Sequence, residues 1–225
     1  MIEILFLCER RAGLSHAEYA AHLLERHAPL ALAHHASLRG YALYVVDEPL
    51  DGTPPLDSVN ALAFESLADF ETRLYDSPEG ERLVTDDHAR FFGGAAGYAG
   101  RLRVHQDGET HWICALRRRE RLEPERFHDA LASAFVPDLL ASQPAAARVA
   151  VLRVERKLFP ADAPDWDAFL QLGFAGPRAP LHPFDSPDCA VTLRRRIAAL
   201  CEATAVWRVS EHVKRRASEY AARHG

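Results

Sequence analysis

The fold is decided by Leu14–His35, LSHAEYAAHLLERHAPLALAHH, because the chain carries a second version of this stretch further along. The second version is Leu122–Gln143, LEPERFHDALASAFVPDLLASQ, which keeps the apolar spacing and the proline of the first. The two differ at one chemically important position, where His27 of the first stretch is replaced by Phe135 in the second. The shared pattern predicts a shared local structure, and the difference predicts a function confined to one half.

Each stretch is predicted to form one long amphipathic helix. In the first stretch, Ser15 and Glu18 have the spacing of a capping box, which satisfies the backbone N–H groups at a helix start. One helical face then carries Tyr19, Leu23, His27, Leu30 and His34. Because Pro29 has no backbone N–H, we expect it to kink or end the helix near Glu25–His27.

Apolar runs on either side of these helices predict strands. The resulting order is β-α-β-β-α-β over residues 1–106, and the same order returns over residues 110–216, before a charged tail at residues 217–225. This is the order of the ferredoxin-like fold, so the predicted class is α+β with two ferredoxin-like repeats. We interpret Gly93–Gly97 as a flexible connection that precedes a fourth strand at Tyr98–His105.

A second pair of matched motifs indicates an internal duplication. The segments are Asp76-Ser77-Pro78-Glu79 and Asp185-Ser186-Pro187-Asp188, and each places a serine N-cap before a proline at the first helical position. Two matched signatures at nearly the same separation favour a tandem repeat over chance similarity. The second copy is degenerate where Phe135 replaces the histidine.

The composition excludes several classes of function. A net charge of −5 argues against a nucleic-acid partner. No apolar run approaches the ~18 residues of a membrane span and no signal peptide is visible, so we expect a cytoplasmic protein without a membrane partner. The 4 cysteines lack CxxC pairs and metal-finger spacing, and no glycine-rich phosphate loop is present. We therefore expect no metal and no cofactor.

The first half resembles the EthD-like family of the dimeric α/β barrel superfamily. The resemblance rests on Arg10-Arg11, Gly13-Leu14-Ser15, His27-Ala28-Pro29-Leu30-Ala31, Gly40-Tyr41, Phe64-Glu65-Ser66-Leu67-Ala68-Asp69 and Ser77-Pro78-Glu79-Gly80. It implies ferredoxin-like units whose sheets face each other with helices outside. Two chains build that barrel in single-copy members, so this chain is expected to form it as an intramolecular pseudo-dimer, with a further homo-dimer left open.

The resemblance also bears on function. Family members include polyketide cyclases, dehydratases and accessory proteins of ether degradation, and the wider superfamily includes monooxygenases and haem enzymes. Members often carry an acidic residue in the third strand, about where Ala61 stands here, and its absence argues against a His–carboxylate pair. Because Phe135 lacks an imidazole, any histidine-dependent site is expected once per chain.

His27 is the candidate catalytic residue. An imidazole takes up or releases a proton near neutral pH, and burial lowers its pKa towards the neutral, basic form. A base here would deprotonate a carbon beside a carbonyl, the step shared by aldol cyclisation, dehydration and isomerisation. The alternative is a core histidine that caps a carbonyl freed by Pro29.

The candidate substrate-binding residues are the aromatic and amide side chains of the predicted sheet: Tyr41, Tyr44, Asn60, Phe64 and Tyr98. Together they suit a flat, partly aromatic ligand with a carbonyl or hydroxyl group. The alternative for each is ordinary core packing.

Other polar residues are interpreted as structural. His34 and His35 are expected at a solvated helix end, and with His22 they show no metal-binding motif. The pairs Arg10-Arg11 and Arg118-Arg119 end matching strands, where a solvated end or a salt bridge between the halves is favoured over an anion site.

Three functions remain open from the sequence. The first is a cofactor-independent cyclase, dehydratase or isomerase that acts on a small hydrophobic carbonyl compound, with His27 as general base. The second is a non-catalytic binding protein that holds such a compound for a partner oxygenase. The third is haem binding, with a histidine as axial ligand.

Overall fold

The computed structural model describes residues 1–49, 53–143, 145–175, 182–184 and 190–216. The first half contains β1 (Ile2–Arg10), α1 (His16–His22), a first π turn (Leu23–His27), α2 (Ala28–His34), β2 (Gly40–Pro49), β3 (Ser58–Phe64), α3 (Leu67–Arg73), α4 (Pro78–Phe91) and β4 (Phe92–Gln106). The second half contains β5 (Trp112–Arg118), α5 (Pro124–Ala130), a second π turn (Leu131–Phe135), α6 (Val136–Ser142), β6 (Ala146–Phe159), β7 (Ala168–Phe174), α7 (Ala190–Leu200) and β8 (Cys201–Arg215).

The eight strands form one closed antiparallel barrel in the order β1-β3-β2-β8-β5-β7-β6-β4. Strands of the two halves meet at two seams, where β2 pairs with β8 and β4 pairs with β6. Closure gives every strand a neighbour on both sides, which removes exposed sheet edges. The mixed α/β class and the eight-stranded antiparallel barrel are therefore established.

Alternation along the strands divides the core into three parts. In β1, Leu5 and Leu7 point into the barrel, whereas Ile4 and Cys8 point out towards the helices of the first half. The barrel interior is filled by large side chains that include Phe169 and Trp207. A third cluster packs the helices of the second half onto its own strands. Each sheet face is thus buried, as the apolar strands predicted.

The prolines in the long helices are accommodated by the π turns. At the end of the first π turn, the Ala28 N–H donates to the Leu23 carbonyl, five residues back. The backbone stays right-handed helical at His27 and Ala28, so the helix continues through Pro29. The helix therefore does not end near Glu25–His27, and the irregularity predicted there from Pro29 takes the form of a π turn, whose one extra residue replaces the hydrogen bond that proline cannot make.

The glycine-rich segment Gly93–Gly97 belongs to β4 and is not the flexible connection that was expected. Gly94 pairs with Glu9 and Gly97 pairs with Phe6 in the ladder with β1. A Cβ at Gly93 would lie 2.4 Å from the carbonyl oxygen of Arg10, so glycine permits a close approach of two backbones there.

Two sequence predictions lie outside the described residues. The segment Asp185-Ser186-Pro187-Asp188 and the tail at residues 217–225 are not described, whereas α7 is described from Ala190 onwards. Within the described part of the chain, no helix combines the length and apolar character needed to cross a bilayer.

Candidate functional site

His27 ends the first π turn and is only 3% exposed, between the helices and the outer face of the sheet. Its Nδ1 lies 3.0 Å from Oδ2 of Asp87, and its Nε2 lies 3.2 Å from Nε2 of His88. The second oxygen of Asp87 lies 2.9 Å from Nε2 of His22. The four side chains form a continuous polar chain, hereafter the histidine chain, which runs from α1 to Asp87 on α4, on to the first π turn and back to His88 on α4.

The order of donors along the histidine chain follows from the charge of Asp87. An ionised carboxylate only accepts, so His27 donates to it from Nδ1–H. Neutral His27 then has its lone pair on Nε2, which accepts the N–H of His88. This arrangement leaves Nδ1 of His88 as the unprotonated nitrogen at the half-exposed end of the chain.

Burial sets the protonation states of these groups. It lowers the pKa of His27, although the hydrogen bond and the charge of Asp87 act in the opposite direction. Burial, with His27 beside it, lowers the pKa of His88 to about 4. Burial alone would raise the pKa of Asp87, but hydrogen bonds from His22 and His27 outweigh it and lower that pKa. At neutral pH the chain therefore holds an ionised Asp87 and neutral imidazoles at His27 and His88.

Aromatic rings enclose the histidine chain. The His22 ring stacks on Phe91 with 4.5 Å between centroids, and the His27 ring lies 5.1 Å from Phe91 and 5.7 Å from Phe92. Tyr19 adds a further contact with Phe91. These rings exclude water from Asp87 and His27 and so strengthen the hydrogen bonds between them.

The His–carboxylate pair is present, contrary to the expectation from the sequence. The expectation considered only β3, where Ala61 points into the barrel and away from His27. The carboxylate comes instead from α4, whose buried positions include Val84, Asp87 and Phe91. An acidic residue on the apolar face of an amphipathic helix was the signal that could have identified it. The alternative role, in which His27 caps a backbone carbonyl, is wrong, because its two ring nitrogens bond to Asp87 and His88.

The five predicted substrate-binding residues do not surround His27 in one pocket. Tyr41 and Phe64 pack on the helix-facing side, and Tyr44 and Tyr98 lie inside the barrel. Asn60 is held by two buried neighbours, because Ser58 Oγ donates to its Oδ1 at 3.0 Å and its Nδ2 contacts Cys8 Sγ at 3.5 Å. Their role in binding remains a prediction.

Cavities lie at both ends of the barrel. One of about 680 Å³ is lined by Tyr41, Tyr44 and Arg148, among others, and is hereafter the barrel mouth. The other, of about 300 Å³, lies at the opposite end and is lined by Tyr98 and Trp207. A groove of about 650 Å³ runs beside the loop after β1. Among the described residues that line these three, His27 does not appear.

The neighbouring histidines differ from the prediction in part. His34 is partly exposed and pairs with Asp76 at 3.2 Å. His35 is buried against the Tyr75 ring, and burial lowers its pKa to about 3, so its expected place at a solvated end was wrong. In the described ranges, no group of three or more His, Cys, Asp or Glu side chains is arranged to hold a metal ion.

The paired arginines are structural within each half. Arg10 binds Asp57 through its backbone N–H and its guanidinium, and Arg118 binds Asp167 in the same way. The acidic partner of each arginine lies in the same half of the chain as the arginine. The salt bridge between the halves that the sequence predicted is therefore not formed by Arg10 or Arg118. Each pair fixes the end of its own first strand.

The second half repeats the geometry of the site without its chemistry. The Arg11 N–H donates to the Phe91 carbonyl, and the Arg119 N–H donates to the Leu200 carbonyl, which aligns α7 with α4. The positions that correspond to the histidine chain are Ala130, Phe135, Arg196 and Ile197. Phe135 and Ile197 are buried in the core, and Arg196 is exposed. The same turn thus encloses a polar chain in one half and an apolar core in the other.

His27 is not placed to be the axial ligand of a haem. An axial ligand needs a ring nitrogen directed at open space, but both nitrogens of His27 have partners within 3.2 Å.

Comparison with known proteins agrees with the fold. Residues 11–95 match the sequence profile of the EthD domain. No curated protein sequence matches the chain. A putative monooxygenase from Lactobacillus acidophilus NCFM is 10% identical and aligns over 94% of both chains with a TM-score of 0.57. An anthrone oxidase-like protein is 13% identical and aligns over 94% of this chain and 92% of its own with a TM-score of 0.59.

A chlorite dismutase variant from Candidatus Nitrospira defluvii is 10% identical, with a TM-score of 0.51 over 99% of this chain and 94% of its own. Identities this low establish shared architecture and leave the chemistry of each protein its own. The histidine chain lies within the segment that matches the family profile. Residues 11–95 are therefore similar to the EthD domain, and the whole chain shares its fold with these solved structures.

Proposed function

We propose that this protein is an acid–base enzyme of the cyclase, dehydratase or isomerase type, which acts on a small hydrophobic carbonyl compound with His27 as its base. The observation that carries the proposal is the histidine chain itself. Asp87 fixes the His27 ring and its tautomer, as the orienting carboxylate does in catalytic dyads. The lowered pKa keeps His27 neutral, and so able to accept a proton, at neutral pH.

The cost of the histidine chain supports a functional reading. Buried polar groups lose hydration, and a well-packed apolar set at the same place is often equally or more stable. The second half demonstrates such a set, with Phe135 and Ile197 in the equivalent positions. Stability alone therefore does not require His27, Asp87 and His88.

The proton is proposed to travel along the histidine chain. The substrate C–H gives its proton to Nδ1 of His88, while Nε2–H of His88 passes to Nε2 of His27. The products are a substrate enolate, a neutral His88 and an imidazolium at His27, whose charge Asp87 stabilises at 3.0 Å. Reversal of these transfers returns the proton to the enolate carbon; in a dehydration, Nδ1–H of His88 instead protonates a hydroxyl β to the carbonyl, whose C–O bond breaks as it departs as water.

We further infer that each half is a ferredoxin-like repeat and that the barrel is an intramolecular dimeric α/β barrel with its divide between residues 106 and 110. Both halves use the strand order 4-1-3-2 within the barrel. Both contain a π turn of five residues at the same place in their first long helix. A common origin by duplication accounts for both features.

The test is proton exchange in D₂O. A panel of hydrophobic 1,3-dicarbonyl compounds and aryl ketones would be incubated with the protein, and loss of the α-proton signal followed by ¹H NMR. We expect faster exchange for at least one member, and roughly 100-fold less acceleration with His27→Phe. Equal acceleration by the native protein and the variant would contradict the role of His27.

A second candidate function is binding without catalysis. It is favoured by the position of His27, which does not line the three cavities described above. In that case, a compound of the panel would bind the protein while its α-proton exchanged at the rate measured in buffer. The same NMR samples distinguish the two functions, because line broadening of the ligand reports binding and signal loss reports exchange.

A further inference from the structure

The barrel mouth holds a polar chain that the function proposed for His27 does not use. Glu3 of β1 points into the barrel, and the Gln171 side chain of β7 donates to its Oε1 at 3.2 Å. Arg148 of β6 donates to Gln171 Oε1 at 2.8 Å and to Asp107 at 2.5 Å. Glu3 and Gln171 belong to different halves, so this site exists only because the two halves close one barrel.

Arg148 has an unsatisfied donor at this site. The side chain is 9% exposed, and its Nε has no hydrogen-bond partner among the residues that the structure describes. A buried guanidinium N–H without an acceptor is destabilising, because it has lost its hydration and gained no hydrogen bond. An acceptor oxygen supplied by a ligand in the cavity would remove that cost.

The cavity is built for a small organic molecule. Its volume of about 680 Å³ lies within the range of small-molecule sites. Apolar wall is provided by Ala61, Leu102 and Val104, and the Tyr44 ring lies beside Glu3. The charged residues of the lining are Glu3, Asp107, Glu109, Arg148, Glu211, Arg215 and Arg216. The two signs nearly balance, which favours an uncharged ligand over an anion.

We propose that the barrel mouth is a second small-molecule site, which binds an uncharged, flat carbonyl compound through the guanidinium of Arg148 and the carboxyl group of Glu3. The carbonyl oxygen accepts from both donors, and the apolar body lies against the wall beside Tyr44. The site is independent of His27, because the mouth opens to the inner face of the sheet and the histidine chain lies on the outer face.

The ionisation of Glu3 supports this geometry. Burial raises its pKa to about 7, against opposing effects of Arg148 and Gln171. The titratable and charged groups around it come from several elements: Tyr44 on β2, Arg148 on β6, Glu211 on β8, and Asp107 in the segment between β4 and β5. Below pH 7 Glu3 carries a proton and donates it to a carbonyl; above pH 7 it is an acceptor only.

The binding test uses 2-acetylnaphthalene as probe and 2-ethylnaphthalene as its match without a carbonyl, with affinities measured by calorimetric or fluorescence titration. We expect measurable binding of the ketone, with about tenfold weaker binding to Arg148→Met. Arg148→Lys retains the charge beside Asp107 and lacks Nε, so it guards against a folding defect and is also expected to bind more weakly. Arg101→Met, which lies outside the barrel mouth, should bind within twofold of the native protein.

The pH dependence completes the test. Affinity of the native protein for the ketone should fall between pH 6 and pH 8, whereas Glu3→Gln, which keeps a donor at all pH values, should bind equally at both. Three results would overturn the proposal: no binding of the ketone up to 1 mM, equal binding of 2-ethylnaphthalene, or unchanged affinity in Arg148→Met and Arg148→Lys. Failure of the exchange experiment with His27 would leave this outcome unaffected.

Discussion

The two π turns of the molecule have the same backbone and different contents. In the first, Leu23–His27, the last residue is joined to Asp87 and His88; in the second, Leu131–Phe135, it packs against Phe184 with 5.9 Å between rings. Because Pro29 and Pro137 follow both turns, the turn belongs to the architecture. The imidazole is present only in the first turn and is not needed to form it. The functional proposal therefore concerns the first half alone.

The largest expected effect concerns the carboxylate. Asp87→Asn keeps the size of the side chain but no longer holds His27 with its lone pair on Nε2 or stabilises the imidazolium. We expect exchange catalysis to fall by roughly 100-fold. Arg196→Gln, at the corresponding position of the second half, should leave the rate unchanged. An equal effect of both substitutions would remove the distinction between the halves.

Exchange of the side chains between the two π turns should change the free energy of unfolding by different amounts. Phe135→His places an imidazole without a carboxylate in an apolar core, and we expect a loss of about 2–4 kcal/mol in the free energy of unfolding. The combined variant His22→Ala, His27→Phe, Asp87→Arg and His88→Ile copies all four positions of the second half and leaves no member of the histidine chain without its partner, so it should cost less than about 1 kcal/mol. Urea unfolding of both variants measures the difference. A larger loss for the combined variant would show that the histidine chain is needed for stability.

Acid should weaken the first half through its buried histidines. Their folded pKa values lie below the unfolded value of 6.5, at about 4 for His88, so the unfolded chain binds protons first as the pH falls. Stability is therefore lost from pH 6.5 downwards, by up to roughly 1.4 kcal/mol per pH unit for each such group. Glu3 acts in the opposite direction, because its folded pKa is raised and its contribution is lost as the pH rises towards 7.

A variant that copies the second half at one position measures how much His88 contributes to the pH dependence of stability. His88→Ile copies Ile197, and the difference in unfolding free energy between the variant and the native protein cancels the effect of Glu3. This difference should grow in favour of the variant between pH 6.5 and pH 5. A difference that is constant over this range would mean that His88 is not held neutral.

The smallest effect concerns the starts of the two long helices. Ser15 and Glu18 form a capping box on α1, whereas Glu123 provides no side-chain cap to α5. Ser15→Ala should therefore lower the free energy of unfolding by about 1 kcal/mol. Glu123→Ser should raise it by at least about 0.3 kcal/mol. Thermal unfolding of the two single variants is sufficient, and a gain from Ser15→Ala would contradict the capping geometry.

The sequence allowed most of the fold to be predicted, because periodicity and turn residues are local signals. The strand and helix order followed from these signals, whereas the barrel was implied by the resemblance of the first half to the EthD-like family. The π turn was not predicted, because a proline indicates that one helical hydrogen bond is missing but does not indicate which backbone geometry replaces it. Gly93 was misjudged for a related reason: a glycine that allows close backbone approach looks the same in sequence as a flexible one.

The candidate site was predictable only in part. His27 could be singled out because its counterpart is Phe135, but its partners lie about sixty positions away on α4, and only folding shows that α4 turns Asp87 towards the π turn. The barrel mouth was not predictable, because Glu3 and Gln171 come from opposite halves. Contacts between distant polar residues depend on barrel closure and register, which no local pattern encodes.

The most direct test of the central claim is the protonation state of His27 at pH 7, read from a long-range ¹H–¹⁵N spectrum of protein labelled with ¹⁵N-histidine and assigned with His27→Phe. We expect a neutral ring with its proton on Nδ1, an unprotonated Nε2, and a His27 pKa below that of a free imidazole on titration with acid. A His27 that is an imidazolium at pH 7, or that carries its proton on Nε2, would contradict the account, because neither form accepts a proton through His88.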